Sequence, residues 1–236
     1  MGGISPERNI SLLSGRGVVA ALRERGHEVI AVDPARGREA VLTDSELEQI
    51  ENRFLTAEEL RAFSPWSLVE SLAGEWTREV DVVFPVLHGP YGEDGRLQTL
   101  LELRGIPYVG SGPLASALAS DKHMTKLLFL AAGIPTPRWI ALTAEQAQQP
   151  EMLEEIRSEL GAHLVVKPND QGSTIGMSFL HDPSLEELAA AIREAAQYSE
   201  LVLVERFVAG RELTVAVLGE EALPIVEIVP DSGVYD

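Results

Sequence analysis

The chain has 236 residues, 45% of them hydrophobic and 24% charged, with no cysteine and a formal charge of −18 at pH 7. Such a chain is long enough to bury a sizeable core, and its apolar runs fall far short of the roughly 20 residues that a membrane helix needs. The lack of cysteine excludes disulfides, thiolate metal sites and a cysteine nucleophile. The acidic balance argues against nucleic acid as a partner, because phosphate backbones are held by clustered Lys and Arg. No basic segment followed by an apolar core opens the chain, so the expectation is a cytoplasmic protein without membrane insertion.

Apolar spacing alternates strand and helix along the chain, which predicts an α/β fold. The first helix is expected to start at Ser5-Pro6, a cap followed by proline at the first helical position, and to run through Ile10, Leu13, Val18 and Leu22 to Gly26. Strand HEVIAVD follows, then a surface excursion over 36–64 in which Thr56 and Glu59 form a capping box for a short helix. VDVVFPVLHG at 80–89 reads as a buried strand, and Leu97, Leu100, Leu101 and Leu103 as a helix ending at Gly105. IPYVGSG supplies the next strand and turn. Beyond it the pattern predicts helix 113–132, strand 138–142, helix 151–160, strand 163–168, helix 184–197 and strand 201–206. Two alternating strands around a Gly219-Glu220-Glu221 turn close the series. A doubly wound sheet places a strand before its first glycine turn, whereas Met1-Gly2-Gly3 opens directly on one, and Asp236 follows straight after two strands. The expectation is therefore a piece of a longer protein.

The stretch HLVVKPNDQGSTIGM at 163–177 carries the most chemistry. Val165 and Val166 favour a strand that delivers Lys167 to a loop in which Gly172 and Gly176 let backbone amides approach an anion and Ser173 and Thr174 add hydroxyls. That set suits a triphosphate, although an exposed turn has the same residues. Only three of the nineteen basic residues are lysines, Lys122, Lys126 and Lys167, so a lysine in this chain points to a specific task. Ser120-Asp121-Lys122 begins or interrupts a helix, with Lys126 one turn on. Lys122 there is either a phosphate contact or part of a solvated face. Glu7, in the first turn after MGGISP, faces a substrate or merely complements the helix dipole. His88, at the C-terminal end of a buried strand, contacts a ligand or bonds within its loop, while Glu93-Asp94 are candidates to cap the next helix. In VLVERFVAGREL, Glu205 and Glu212 flank the apolar Phe207-Val208 pair, as an adenine slot and a ribose would require and as a routine surface strand would also show.

Read in order, GGISPER, LHGPYGEDG, GIPYVGSG, ASDKHMTK, VVKPNDQGSTIGM, VERFVAGRELTV and GVYD resemble the D-alanine–D-alanine ligases of the ATP-grasp superfamily over nearly the whole chain. The resemblance implies a preATP-grasp (Rossmann-like) domain at 1–111, a central ATP-grasp subdomain at 112–208 and the start of the C-terminal ATP-grasp domain at 209–236. It implies that Lys122 and Lys167 contact ATP phosphates, Glu205 the adenine amino group, Phe207 the adenine slot and Glu212 the ribose. Glu7 would position the ammonium of the first D-alanine, Ser173 would bond near it in the closed state, and His88 would lie by the substrate carboxylate.

The implied reaction joins two D-alanines through a D-alanyl phosphate, with ATP as phosphoryl donor, for peptidoglycan synthesis, and the resemblance also implies a homodimer. Mg²⁺ would neutralise phosphate charge, but the family places its Mg²⁺ ligands past position 236. The 236-residue chain alone is accordingly expected to be inactive or nearly so. Two alternatives remain open from sequence: a noncatalytic nucleotide-binding module, and a ligase of the D-alanine–D-lactate type. A dehydrogenase is disfavoured, because GGISPER lacks the G-x-G-x-x-G spacing and its preceding strand.

Overall fold

The structure, a computed structural model, describes residues 1–229, apart from the side chain of Ala57. The GVYD segment at 233–236 lies outside the described residues. The chain divides into two compact units, Met1–Ile134 together with Asn169–Gly172, and Pro135–Pro168 together with the residues from Ser173 onward. Among the described residues no helix is long and apolar enough to cross a membrane.

The first unit opens with α1 (Arg8–Glu24), which buries Ser11, Leu12, Gly15 and Val19. Its N-cap is Glu7 and no side chain caps it, so the expected Ser5 cap is not made. Instead the Ser5 carbonyl accepts from the Arg8 N–H at 3.0 Å, which closes a turn around Pro6 and starts the helix two residues late. Helices α2 (Asp44–Glu48) and α3 (Ala57–Leu60) each begin with a full capping box, Thr43 with Glu46 and Thr56 with Glu59. The short helix expected at the Thr56 capping box is thus α3, while α2 is a helix the sequence reading did not expect. Helix α4 (Trp66–Leu72), which no cap or periodic pattern announced, buries Leu68 and Leu72 against Trp76, Leu87, Leu97, Leu101 and Ile106. Helix α5 (Arg96–Leu103) supplies two of those residues.

The helix expected over 113–132 is two, α6 (Pro113–Ser120) and α7 (Lys122–Ala131). Asp121 separates them: its backbone is extended and its carboxylate accepts from the Met124 N–H at 2.8 Å as the N-cap of α7. The strands expected at 27–33, 80–89 and 106–109 run extended but form no ladder. Val32 bridges Val41 antiparallel, and Val83 bridges Tyr108 parallel.

The second unit is built on a four-stranded antiparallel sheet. Its elements are β1 (Trp139–Leu142), α8 (Pro150–Leu160), β2 (His163–Pro168), β3 (Ser178–His181), α9 (Leu185–Ala195) and β4 (Val202–Arg206), with spatial order β1-β4-β2-β3. Alternation decides the faces. Leu164 and Val166 of β2 and Val202 and Val204 of β4 point to the apolar stripes of α8 and α9, where Leu153, Ile156, Leu160, Leu188 and Ile192 complete the core. Val165, Lys167, Leu203 and Glu205 take the opposite face. Strand β3 escaped the sequence reading because it is a short edge strand with alternately half-buried and exposed residues. The two strands expected near the end are each broken in two: β5 (Glu212–Thr214) pairs with β8 (Val226–Ile228), and β6 (Val217–Leu218) with β7 (Glu221–Ala222).

Candidate functional site

In the first unit the polar residues converge on the turn before α1. Gly2 and Gly3 adopt φ of 76° and 83°, and a side chain at Gly2 would lie 2.5 Å from the Asp33 carboxylate. Asp33 is fully buried and accepts from the N–H groups of Gly3 at 3.0 Å and Ala35 at 3.1 Å. Arg8 closes the arrangement, pairing with Asp33 through both guanidinium nitrogens and donating to the Gly3 carbonyl at 2.7 Å. This network fixes the chain on both sides of Glu7. The Glu7 carboxylate is buried beneath two glycines: a Cβ would come within 3.2 Å of its Oε2 at Gly89 and within 2.8 Å at Gly172. Gly172 thus makes room for this carboxylate, so its close approach has a partner within the protein. Dipole compensation alone does not account for a carboxylate so enclosed, because an exposed side chain would serve it equally well.

His88 follows Leu87 out of the core. Its Nδ1 lies 3.6 Å from a Glu93 oxygen, and the other Glu93 oxygen accepts from the Gly89 N–H at 2.7 Å. Glu93 raises the His88 pKa above the ordinary histidine value, against burial that lowers it, and the more distant charge of Glu7 adds to the rise. Burial pushes Glu93 up, but His88 and the Gly89 N–H outweigh it and hold the carboxyl below its ordinary range. Asp94, not Glu93, serves the following helix, accepting from the N–H groups of Tyr91 at 2.7 Å and Arg96 at 3.1 Å. The site accordingly offers an imidazole whose protonated form Glu93 and Glu7 favour, together with the buried Glu7 carboxylate, two groups suited to the opposite charges of a zwitterion.

At the start of α7 the Lys122 ammonium donates to the Asn169 carbonyl at 3.3 Å and to that of Gln171. The Asn169 side chain accepts from the His123 N–H at 2.8 Å, so the loop after β2 is stitched to the N-terminus of α7. Lys126, one turn on, is buried and so is not part of a solvated face.

In the second unit strand register brings Lys167 and Glu205 together. Val165 stands directly opposite Glu205 on β4, and Lys167, two residues on along the same face, reaches Glu205 at 3.0 Å. The carboxylate side chain is only 9% exposed. Phe207 leaves β4 with its N–H on the His163 carbonyl at 2.9 Å and its ring edge-to-face with Phe179, centroids 6.1 Å apart. Both rings stay more than two-fifths exposed, a surface on which a flat apolar group can lie. Glu212 opens β5 and is exposed. Ser173 is exposed with φ of 50°, a strained value for a residue with a Cβ. Gly176 does not serve anion approach: a Cβ there would meet Pro168 and Tyr198 at 2.9 Å, so its role is packing.

Sequence reasoning missed Asp33, Arg8 and Asn169. The available signal for Asp33 was a carboxylate closing the apolar run VIAVD, an unusual place for a charge unless it is paired.

Solved structures share this architecture. A D-alanyl-alanine synthetase A from Vibrio cholerae superposes with a TM-score of 0.70 at 30% identity, covering all of this chain and 67% of that one. The D-alanine–D-alanine ligase of Bacillus anthracis complexed with ATP gives 0.55 at 34% identity over 64% of this chain and 49% of that one. The fold is thus that of an ATP-grasp ligase. The model of the D-Ala–D-Ala ligase N-terminus matches residues 1–111 and that of the C-terminus residues 128–236, and the chain belongs to the D-alanine–D-alanine ligase family. Ligases of Desulforamulus reducens and Moorella thermoacetica are 42% and 43% identical over the whole of this chain. The chain spans about two thirds of the length of such relatives, 66% of the Desulforamulus protein and 61% of one from Herminiimonas arsenicoxydans.

Proposed function

We propose that these residues form the nucleotide-side and first-substrate part of a D-alanine–D-alanine ligase, which phosphorylates the carboxylate of one D-alanine with ATP and lets the amine of a second displace the phosphate. The observation that carries this reading is the enclosed Glu7 carboxylate in the same unit as His88, whose pKa Glu93 and Glu7 raise, since an amino acid zwitterion presents an ammonium to the one and a carboxylate to the other. Glu7 takes the ammonium of the first D-alanine and His88 lies by the carboxylate, with Ser173 bonding nearby. Lys122 and Lys167 take ATP phosphates, Glu205 and Phe207 the adenine, and Glu212 the ribose. Division at 111 and 208 into preATP-grasp, central and C-terminal domains belongs to the same proposal, as do the homodimer and the cytoplasmic location.

Phosphoryl and acyl transfer of this kind proceed by positioning and charge stabilisation. Mg²⁺ supplies charge neutralisation in such reactions, but among the described residues no three His, Asp or Glu side chains converge on a metal point. Residues 1–236 alone are expected to turn over poorly or not at all. The test is D-alanine-dependent phosphate release by these residues joined to the remaining third of the Desulforamulus ligase. The expected result is dipeptide formation that Glu7→Gln abolishes while ATP binding persists. A chimera that binds ATP yet forms no dipeptide, or one indifferent to Glu7→Gln, would overturn the reading.

A further inference from the structure

Strands β2 and β3 are the arms of a hairpin whose base pairs His163, the first residue of β2, with His181, the last of β3. The Asp182 N–H donates to the Ala162 carbonyl at 2.6 Å, while the His163 carbonyl turns to β4 and accepts from the Phe207 N–H at 2.9 Å. His163 and His181 are therefore a non-hydrogen-bonded pair, the kind whose Cα atoms stand about 4.5 Å apart and whose side chains come closest. The next pair inward, Leu164 and Leu180, packs into the core, so alternation puts both imidazoles on the sheet face away from the helices. Both histidines are exposed.

Their ring centroids lie 4.3 Å apart with the planes at 48°. The rings are tilted rather than stacked, and the soft χ2 of histidine lets each turn a nitrogen toward a common point without moving the backbone. Imidazoles that share one ion through nitrogens about 2.0–2.1 Å from it, at angles of about 90–110°, hold their centroids roughly 4.5–5 Å apart. The observed spacing is close to that. Lys167, the cation that β2 carries on the same face, is four residues along, roughly 13 Å at about 3.3 Å per residue, which exceeds the Debye length of physiological salt. Among the described residues no third His, Asp or Glu completes a metal-binding group, so water fills the other coordination positions.

We propose that His163 and His181 chelate a divalent transition-metal ion, Cu²⁺ most tightly and Ni²⁺ and Zn²⁺ less so, and that the ion staples the base of the β2–β3 hairpin. Imidazole nitrogens select these ions over Mg²⁺ and Ca²⁺, which take oxygen donors. The strand that gains is β3, an edge strand of four residues held in the sheet by β2 alone. An ion that binds the paired strands and not the separated ones stabilises the pairing by mass action. The staple closes the hairpin at the end opposite residues 169–177, which join its arms and include Gly172 and Ser173. It needs nothing of the nucleotide roles given to Lys167 and Glu205.

The experiment is a Cu²⁺ titration of the 236-residue chain at neutral pH, read by electron paramagnetic resonance, beside backbone amide exchange with Zn²⁺. One copper is expected with two imidazole nitrogens in its coordination plane. His163→Ala and His181→Ala should each weaken that site by about tenfold or more, because the second ligand of a chelate binds intramolecularly. Both side chains are exposed, so neither substitution threatens the fold, and His27→Ala, at an exposed histidine of the first unit, should leave the site unchanged. Saturating Zn²⁺ should slow exchange at Leu180 and Asp182 by about threefold or more, with Leu101 in the first unit unaffected, and Mg²⁺ should not. The slowing should vanish in either alanine variant. Copper held through a single imidazole, affinity that both alanine variants retain, or exchange at Leu180 indifferent to saturating Zn²⁺ would overturn the proposal.

Discussion

The sheet of the second unit and the extended segments of the first are built from the same kind of residues and end differently. HLVVKP and VLVER become a ladder with five paired positions, whereas HEVIAVD and VDVVFPVL touch their neighbours through single bridges. The difference lies in the partner: β4 finds β1 on one edge and β2 on the other, while Ile30, Val82 and Phe84 face an open cleft. Apolar, β-branched sequence therefore makes an extended segment, but only a strand alongside makes a sheet.

Mutations separate the two situations. The largest loss in the first unit should come from its polar knot: Asp33→Ala leaves the half-buried Arg8 without its carboxylate and should cost about 3 kcal/mol in denaturant unfolding. Leu164→Ala, in the fully buried centre of the second sheet, should cost about 2–5 kcal/mol. The comparable truncation Val82→Ala, at an edge the cleft leaves half exposed, should cost less than about 0.5 kcal/mol. A loss at Val82 as large as that at Leu164 would erase the contrast. Thr56→Ala removes the α3 cap and should cost about 1 kcal/mol.

The smallest effect concerns pH. The raised His88 pKa contributes stability that is complete below the ordinary value of 6.5 and is lost as pH rises through the folded pKa. The lowered Glu93 pKa contributes stability that is present above 4.5 and is lost as pH falls through its folded value. The pair should therefore support the loop best between those two values. An NMR titration should place His88 above 6.5 and return it toward 6.5 in Glu93→Gln; an unchanged midpoint would remove Glu93 as the cause.

Legibility followed the same contrast. In the second unit strand 163–168 matches to the residue and strand 201–206 within one, because alternation and helix caps are local signals. The Lys167–Glu205 pair was present in the sequence as two separate candidates, and only antiparallel register joins residues so far apart. In the first unit Glu7 and His88 were legible as candidates, yet what holds them was not. Asp33, Arg8 and Asn169 act through loop backbone, and a carbonyl that binds Lys122 has no residue-type signature. The helix break at Asp121 was half visible, since Ser120-Asp121-Lys122 reads equally as a start and as an interruption.

The nucleotide side of the proposed function is the Lys167–Glu205 face, and its direct measurement is the equilibrium affinity of the chain for a fluorescent ATP analogue. Lys167→Ala and Glu205→Ala should each weaken it by about tenfold or more, the equivalent of about 1.4 kcal/mol, while Phe84→Glu in the other unit leaves it unchanged. Affinity indifferent to Lys167 and Glu205, or an analogue that the chain does not bind at all, would contradict the account.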